Sequence, residues 1–240
     1  MGDLDNILRD LVAANRILAH EGVVDGYGHV SVRHPDKPGC FLLARSRSPE
    51  LVEKEDLLVY GPDGEPVDDG GPEPYLERYI HAAGYEARRE VQSVVHNHSE
   101  ELIPFGISDI SLRPTFHTAS RIGPHVPVWD IADKFGDTNM LVVNMDQGRD
   151  LAQTLGDNRL VLMRGHGATV AMSDLQFAVT TSIYAQANAR IQLQAIVMGG
   201  KIKYLSEGEM AETGNLSAPS SIGAQRTWEY YCRRTGIGDP

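Results

Sequence analysis

A helical segment followed by a short apolar strand and two closely spaced histidines constrains this sequence more than any other feature. Residues 75–98 read YLERYIHAAGYEARREVQSVVHNH. The first half places apolar and small side chains at helical spacing, whereas residues 91–95 form a short apolar run typical of a buried strand. His96 and His98 end that run, and residues two apart on a strand point to the same side. The pattern therefore predicts an α/β unit in which two imidazoles can share one metal ion.

Two further side chains can join this pair. His166 lies in MRGHGATV, directly after the apolar run 160–163, which predicts another strand. Glu77 lies on the predicted helix, which can fold back and bring its carboxylate to the same place. An isolated histidine is more often a surface or hydrogen-bonded core residue than a ligand. Three histidines at two strand ends with a nearby carboxylate are much more specific, so we expect His96, His98 and His166 to hold a divalent cation beside Glu77.

The length and the charge of the chain narrow the class of protein. Its 240 residues suit one large α/β domain and no linker divides them, so we expect a single domain spanning residues 1–240. The net charge of −11 and the scattered basic residues argue against nucleic-acid binding, which needs a positive stripe. A few local arginines can still bind a small acidic molecule. No glycine-rich dinucleotide turn, GKS/T loop or GxSxG elbow occurs, which disfavours nucleotide-driven and serine-hydrolase chemistry.

Signals for membranes and secretion are missing from the sequence as well. No run approaches the roughly 20 apolar residues of a transmembrane helix. The acidic start MGDLDNILRD does not have the layout of a secretion signal. The two cysteines, Cys40 and Cys232, do not suggest a disulfide framework. We therefore predict a cytoplasmic protein without a membrane partner.

Periodicity and turn residues predict the order of the elements. We expect helices at residues 5–21, 75–88, 144–155, 175–197 and 226–236, and strands at 30–33, 40–44, 56–60, 65–67, 91–95 and 160–163. Residues 217–221 are expected to form a loop. The C-terminal tail, residues 201–240, ends in the aromatic helix. That helix can pack on its own domain or at a subunit interface, and we expect the interface.

Two loops are candidates for substrate binding. His29 follows a turn bracketed by Gly26 and Gly28 at the entrance of the strand 30–33. It is either a solvated turn histidine or a polar group at the mouth of a site. The loop RSRS, residues 45–48, follows another strand and combines guanidinium and hydroxyl groups, which bind carboxylates or phosphates. A solvated loop is the alternative interpretation of these four residues.

The motifs together resemble the class II aldolase/adducin-head family. They are GHVSVR, the E-x3-H-x14-H-N-H block and RGHG. The resemblance covers residues 5–200 and implies a three-layer α/β/α sandwich around a mostly antiparallel central sheet. It also implies a homotetramer with sites at subunit interfaces. In that family the equivalents of His96, His98 and His166 hold the metal, and the equivalent of Glu77 is the catalytic acid/base.

Several positions differ from the sugar-phosphate aldolases of that family. His29 occupies the position of an asparagine, and RSRSP replaces a Thr/Ser-Gly phosphate loop. Tyr75 and Leu76 replace a pair of serines before the catalytic glutamate. The proton-donor tyrosine of the aldolases falls on Thr118, next to His117. The altered set resembles the decarboxylase branch of the family, which includes hydroxy-methylpyridine-dicarboxylate and dihydroxyphthalate decarboxylases.

The residues and this resemblance predict a metal-dependent, non-oxidative decarboxylase of a hydroxylated aromatic carboxylate or dicarboxylate, or of a related ring-cleavage acid. One divalent ion per subunit (zinc, manganese or iron) would stabilise the enolate or dienolate charge that CO2 leaves behind. Glu77, or a water that it holds, would protonate the carbon after CO2 leaves; the group must be neutral at that moment, which burial would favour. The expected substrate contacts are His29, Ser46, Arg47, Ser48, Tyr75 and His117.

Other functions remain as alternatives. A retro-aldol lyase acting on a non-phosphorylated hydroxy acid would use the same metal, and a three-histidine iron oxygenase would use the same ligands. A non-catalytic interaction module is disfavoured because it does not need three histidines beside a carboxylate.

Overall fold

A seven-stranded sheet lies at the centre of the computed structural model, which describes residues 2–68, 70–216 and 221–236. Its strands are β1 (His29–Arg33), β2 (Phe41–Ala44), β3 (Leu57–Tyr60), β4 (Ser93–Asn97), β5 (Val128–Trp129), β6 (Leu160–Met163) and β7 (Gly167–Met172). They are arranged in the order β3-β2-β1-β4-β7-β6-β5. Neighbouring strands are antiparallel except β5 and β6, which are parallel. The prediction of a mostly antiparallel sheet is confirmed.

Helices cover both faces of this sheet. They are α1 (Gly2–His20), α2 (Arg78–Ala87), α3 (Ile103–Gly106), α4 (Ala132–Phe135), α5 (Met145–Leu155), α6 (Leu175–Met198), α7 (Glu207–Leu216) and α8 (Ile222–Arg234). Successive residues of β4 face different cores, because side chains alternate along a strand. Val95 packs in a cluster with α1, α6 and α8, whereas Val94 packs in a cluster with α2 and α5. The sheet is therefore buried on both faces, and the predicted three-layer α/β/α sandwich is confirmed.

Side-chain caps explain where two of the long helices begin. The side chain of Asn144 accepts a hydrogen bond from the N–H of Gln147 at the start of α5, and Asp174 accepts one from Phe177 at the start of α6. Gly199, with a φ of 74°, ends α6. The predicted helices 144–155 and 175–197 therefore agree with the structure to within one residue.

Two predicted boundaries near the histidine pair were wrong. α2 begins at Arg78, so Glu77 precedes the helix instead of lying on it. A backbone bridge between Arg45 and Pro74 keeps the chain extended just before Tyr75, so the helix begins later than predicted. β4 spans Ser93–Asn97 instead of the predicted 91–95, because the N–H of Val91 closes a turn onto the carbonyl of Arg88.

The sequence also mispredicted some of the strands. The expected strand 65–67 is reduced to one bridge between Tyr60 and Pro66, since proline has no N–H with which to extend a ladder. The two-residue strand β5 and the strand β7 were not predicted. β7 begins one residue after His166, so only a tight turn connects it to β6. Such a short turn does not contain the run of polar and turn-forming residues that marks a longer loop in a sequence.

The last described helix packs on its own domain. Trp228, Tyr231 and Cys232 of α8 are buried in the core that includes α1 and α6. The helix was predicted, whereas α7 was not. Residues 217–220, which make up most of the predicted loop 217–221, lie outside the described residues. The expected contact of the tail, residues 201–240, with another subunit stays a prediction.

Two expectations of absence can be compared with the described residues. None of the helices in these ranges combines the length and the apolarity that a bilayer crossing requires. Cys40 and Cys232 are both free thiols.

Candidate metal centre and its cavity

Three histidines converge at one end of the central strands. His96 lies within β4, His98 follows that strand, and His166 lies in the turn between β6 and β7. The antiparallel pairing of β4 with β7 sets Asn97 opposite Ala168, which brings the two chain segments side by side. A Cβ at Gly167 would collide with the carbonyl oxygen of Asn97, so glycine is required where the strands approach so closely.

The ring nitrogens of these histidines face one another. The Nε2 atom of His98 lies 3.0 Å from the Nε2 atom of His96 and 3.0 Å from that of His166. The carboxylate oxygen Oε2 of Glu77 lies 3.5 Å from Nε2 of both His96 and His166. One potential ligand atom from each of the four residues lies within 4.8 Å of the others. The structure thus brings together the three histidines and the carboxylate that the sequence singled out.

This arrangement fits a divalent cation. The Nδ1 of His166 donates to the carbonyl of Met140 at 3.0 Å, which leaves a bare lone pair on its Nε2. Burial lowers the pKa of His98 to about 4, so this ring is neutral at neutral pH. A hydrogen on one Nε2 could satisfy one neighbour, whereas a cation satisfies all three nitrogens. Two nitrogens that each lie about 2.1 Å from one cation are at most about 4.2 Å apart, and the two observed separations of 3.0 Å fall within that limit.

Glu77 is an ionised, partly tethered group in this arrangement. Its Oε1 accepts a hydrogen bond from the backbone N–H of Val142 at 3.0 Å, and only 8% of the residue is exposed. Burial acts to raise the pKa of Glu77, but the adjacent rings of His96 and His166 outweigh it and hold the pKa well below its usual range. Burial therefore does not by itself make Glu77 neutral, and its role as a proton donor requires that it first take up a proton. The carboxylate is able to accept a proton or to bind a cation.

A cavity of about 200 Å³ opens beside Glu77 and His98. Its lining includes three of the predicted substrate contacts, His29, Ser46 and Tyr75. The side chains of Tyr27 and Leu76 also line it and are largely exposed, so they form an aromatic and apolar rim. An apolar rim with a few convergent polar groups is typical of a site for a small molecule.

His29 is buried, which answers the question that its sequence context left open. It is the first residue of β1 and lies directly opposite His96 in the register with β4. Only 3% of the residue is exposed. Its ring centroid lies 4.6 Å from that of Tyr75 and 5.1 Å from that of His96. The residue is therefore a packed side chain at the edge of the cavity and not a solvated turn histidine.

The RSRS loop is tied to a buried carboxylate. Arg45 Nε and Arg47 Nη1 lie 2.7 Å and 3.2 Å from Oδ1 of Asp56, which is buried. The hydroxyl of Tyr75 donates to the carbonyl of Arg47. Ser46 reaches the cavity, whereas Arg47 and Ser48 are not among its lining residues. These contacts order the loop, and they use part of the hydrogen-bonding capacity of Arg47.

The remaining predicted contact, His117, is exposed and lies apart from this lining. It opens a 3₁₀ helix, His117–Ile122, that packs against α6 and α7. It is not among the residues that line the cavity. The structure therefore brings His29, Ser46 and Tyr75 to the metal centre but not His117.

Sequence reasoning missed a buried polar chain beneath the cavity. His29 contacts His81 on α2, His81 contacts Ser31 on β1, and Ser31 contacts the hydroxyl of Tyr85. His81 lies in the run Ile-His-Ala-Ala, on the side of the helix that faces the core. Two sequence signals marked it: it is a histidine within an otherwise apolar helix face, and it is the first histidine of the E-x3-H-x14-H-N-H block.

Comparisons with known proteins agree with these features. The sequence model of the family described as "Class II Aldolase and Adducin N-terminal domain" matches residues 9–193. The chain is 32% identical to Decarboxylase tropJ of Talaromyces stipitatus, covering 96% of this chain and 94% of that protein. It is 29% identical to 3,4-dihydroxyphthalate decarboxylase of Arthrobacter keyseri, covering 94% and 93%. A crystal structure of an aldolase II superfamily protein from Pseudomonas syringae has the same fold, with a TM-score of 0.80 at 21% identity, over 98% of this chain and 94% of that one.

Proposed function

Since the chain belongs to the Class II Aldolase and Adducin N-terminal domain family, we propose that it is a metal-dependent, non-oxidative decarboxylase of a hydroxylated aromatic carboxylate or dicarboxylate. The relatives reported above are decarboxylases, which are carbon–carbon lyases, and the protein is a lyase of this kind. The proposal adds the class of substrate and the roles of the individual residues.

One observation carries the proposal. The Nε2 atom of His98 lies 3.0 Å from those of His96 and His166, and this cluster lies beside the carboxylate of Glu77 at a cavity that His29, Ser46 and Tyr75 also line. We assign His96, His98 and His166 as the residues that hold one divalent ion, which would be zinc, manganese or iron. Such an ion supplies a Lewis acid that accepts the charge developing on a substrate oxygen as the carboxylate departs.

Glu77 is assigned the transfer of the proton. Its lowered pKa makes it a carboxylate before the reaction, so it first accepts the proton of a substrate hydroxyl. Glu77 passes this proton to the ring carbon that bears the departing carboxylate, and its own carboxylate is restored. The carbon–carbon bond then breaks, CO2 leaves, and the bonding electron pair enters the ring and places the negative charge on the substrate oxygen. The hydrogen bond from Val142 to Oε1 directs Oε2 to the reacting groups.

A second acidic group of the substrate is assigned to the RSRS loop. Arg45 and Arg47 share the single carboxylate of Asp56, so the cluster retains one net positive charge. Ser46 connects this cluster to the cavity. Arg47 with Ser46 or Ser48 would bind the second carboxylate by charge-assisted hydrogen bonds.

The proposed reaction is tested by measuring CO2 release from hydroxylated aromatic dicarboxylates, with dihydroxyphthalates first. The metal content of the purified protein is measured in parallel by elemental analysis, and zinc, manganese and iron are each added back after chelation. We expect CO2 release that depends on one bound ion per subunit. Undiminished CO2 release from the metal-free protein would contradict the assigned role of the three histidines.

The two alternative activities give different products. A retro-aldol lyase acting on a hydroxy acid would release an aldehyde, and an iron oxygenase would consume oxygen in step with substrate. We expect neither aldehyde release nor oxygen consumption during turnover. Stoichiometric aldehyde would favour the retro-aldol reaction, and strict oxygen dependence would favour the oxygenase.

Assembly as a cytoplasmic homotetramer belongs to the same proposal. The exposed His117 is separate from the cavity of its own chain, so its proposed contact with substrate requires the cavity of another subunit. Light scattering on the purified protein measures the assembly. A monomer with full activity would exclude this role of His117 and the interface role proposed for residues 201–240.

A further inference from the structure

A continuous chain of four polar side chains leads from the cavity into the layer between the sheet and α2. Nδ1 of His29 lies 2.6 Å from Nε2 of His81, and Nδ1 of His81 lies 2.7 Å from Oγ of Ser31. The same oxygen lies 2.7 Å from the hydroxyl of Tyr85. All four residues are buried, with at most 5% of any residue exposed. His29 lines the cavity at one end of the chain, and Tyr85 lies at the inner end.

The number of hydrogens limits how this chain can be arranged. Each neutral side chain carries one hydrogen that can form a hydrogen bond, which gives four hydrogens for three contacts. Burial lowers the pKa of His81 to about 3 and raises the pKa of Tyr85, so both groups are neutral. One hydrogen is therefore left over. It lies on the hydroxyl of Tyr85, on the hydroxyl of Ser31 if Ser31 accepts from both of its neighbours, or on Nε2 of His29.

The surroundings of the two ends differ. If His29 donated to His81 and His81 to Ser31, the leftover hydrogen would lie on Tyr85 or on Ser31. Either hydroxyl would then be buried without an acceptor among the hydrogen bonds of the described residues, and such a hydroxyl carries its full desolvation penalty. If the donations run outward instead, Tyr85 donates to Ser31, Ser31 to His81 and His81 to His29. The leftover hydrogen then lies on Nε2 of His29, at the cavity, where water or a ligand can accept it.

We propose that His29 presents an Nε2–H donor to a carboxylate oxygen of the substrate, and that His81 is the positioning residue that fixes this tautomer. The identity of the substrate rests on the proposed function, whereas the tautomer of His29 does not. The hydroxyl of Tyr75, the ring's neighbour, is already used by the carbonyl of Arg47. Glu77 is a carboxylate that repels an acidic ligand. A directed N–H from His29 therefore offsets that repulsion on one side of the cavity.

The tautomer can be measured without any substrate. Long-range proton–nitrogen NMR correlations distinguish protonated from unprotonated ring nitrogens in the ¹⁵N-histidine-labelled protein loaded with Zn²⁺, a diamagnetic ion. The signals of His29 are identified by their loss in the variant His29→Gln. We expect Nε2 to be protonated and Nδ1 to be bare. A hydrogen on Nδ1 with a bare Nε2, or hydrogens on both nitrogens, would overturn the proposal.

The role of His81 is tested with two substitutions of similar size. His81→Phe keeps the aromatic volume but removes the donor to Nδ1 of His29, so we expect mixed tautomers of His29. Where the substrate proves to be a dicarboxylate, KM is expected to rise about 10- to 100-fold, the range for a hydrogen bond to a charged group. His81→Gln retains an N–H donor, and we expect it to keep the single tautomer and to raise KM by less than about threefold.

A buried histidine elsewhere in the chain provides the control. Nδ1 of His34 accepts hydrogen bonds from the backbone N–H groups of Asp36 and Lys37, and the residue does not line the cavity. His34→Phe should leave the tautomer of His29 unchanged. If His81→Phe also leaves the tautomer unchanged in a folded, zinc-loaded protein, His81 has no positioning role. Because the NMR result does not depend on turnover, it stands even if the protein proves not to be a decarboxylase.

Discussion

Glu77 and Val142 are joined by a hydrogen bond of 3.0 Å from the backbone N–H to Oε1. The bond crosses from the residue preceding α2 to the loop before α5, and it leaves Oε2 at 3.5 Å from two of the histidine rings. The two oxygens of one carboxylate therefore have separate tasks. One fixes the orientation of the side chain, and the other faces the metal centre.

We predict that Glu77→Gln abolishes most of the activity but retains the ion. The amide oxygen can still accept the hydrogen bond from Val142, but an amide cannot carry the proton, so kcat should fall by about 10²- to 10⁴-fold. Turnover and metal content are measured on the same preparation. Glu86→Gln is the matched control, because Glu86 is an exposed carboxylate of α2 that pairs with Arg149 and should leave kcat unchanged. Near-normal turnover by Glu77→Gln would remove it from the mechanism.

We predict that His166→Ala lowers metal occupancy far below one ion per subunit. Loss of one of three imidazoles leaves the cation with two protein nitrogens and an incomplete site. Occupancy is measured by elemental analysis after dialysis against a weak chelator. His125→Ala serves as the control, because His125 is exposed and is not part of the cluster. Equal occupancy in the two variants would show that the ion binds elsewhere.

We predict that the backbone at Met140 tunes the affinity for the ion. Met140 has a φ of 67°, and its carbonyl accepts the hydrogen bond from Nδ1 of His166. A β-branched residue is disfavoured at positive φ, so Met140→Val should shift this carbonyl and weaken metal binding by about 10- to 100-fold. Met140→Gly, which accepts the same φ without strain, should bind the ion as tightly as the parent protein. Chelator competition gives both dissociation constants, and equal weakening in both variants would argue against the backbone explanation.

We predict that the carboxylate of Asp56 contributes to the free energy of unfolding at neutral pH and that this contribution is lost in acid. Burial acts to raise its pKa, but hydrogen bonds from the N–H of Glu53 and from Arg45, together with the charge of Arg47, leave the pKa below the ordinary 3.8. Because the folded state holds the proton less tightly than the unfolded state does, the contribution is present above pH 3.8 and is lost as the pH falls through the folded-state pKa. Asp56→Asn should lower the free energy of unfolding at neutral pH by about 2 kcal/mol.

The control for this experiment is a carboxylate that forms an ion pair on the surface. Asp5 forms an exposed ion pair with Lys54, and such pairs contribute little because water screens them. Asp5→Asn should therefore leave the unfolding free energy nearly unchanged at every pH. Urea titrations between pH 3 and pH 7 compare the two variants with the parent protein. If the loss in Asp56→Asn does not shrink at the acidic end, its carboxylate is not the group that titrates.

We predict that α8 is part of the domain core. Trp228 is only 2% exposed, so Trp228→Ala should cost about 3 to 5 kcal/mol of unfolding free energy. Tyr230 on the same helix is 52% exposed, and Tyr230→Ala should have a much smaller effect on the unfolding free energy. Thermal and denaturant unfolding provide the comparison. If both variants left stability unchanged but altered the assembly, the helix would be an interface element and not a core element.

The histidine cluster could be predicted because each of its parts has a local signature. A short apolar run followed by HNH, and another followed by RGHG, indicate two strand ends that carry imidazoles. Glu77 was found for the same reason, although it precedes the helix. The sandwich architecture followed from the alternation of helical and strand patterns and from the family resemblance.

The parts that were missed depend on contacts between distant segments. The pairing of Arg47 with Asp56 arises only when the loop folds over the following turn. Burial favours a neutral Glu77, but two imidazoles outweigh burial and lower its pKa, and this balance depends on distances that no sequence pattern contains. His81 was overlooked because an apolar helix face predicts a core contact, which is correct, without showing that the contact is with His29.

The position of β4 affects the rates at which a metal ion binds and dissociates. This strand is hydrogen-bonded on both edges, to β1 and to β7, so the ligand it carries is held by the folded sheet itself. The nitrogens are already close together before a cation binds, so binding requires little ordering of the chain. The rates of metal loading and metal exchange should accordingly be set by diffusion through the opening of the cavity, and not by a slow rearrangement of the backbone.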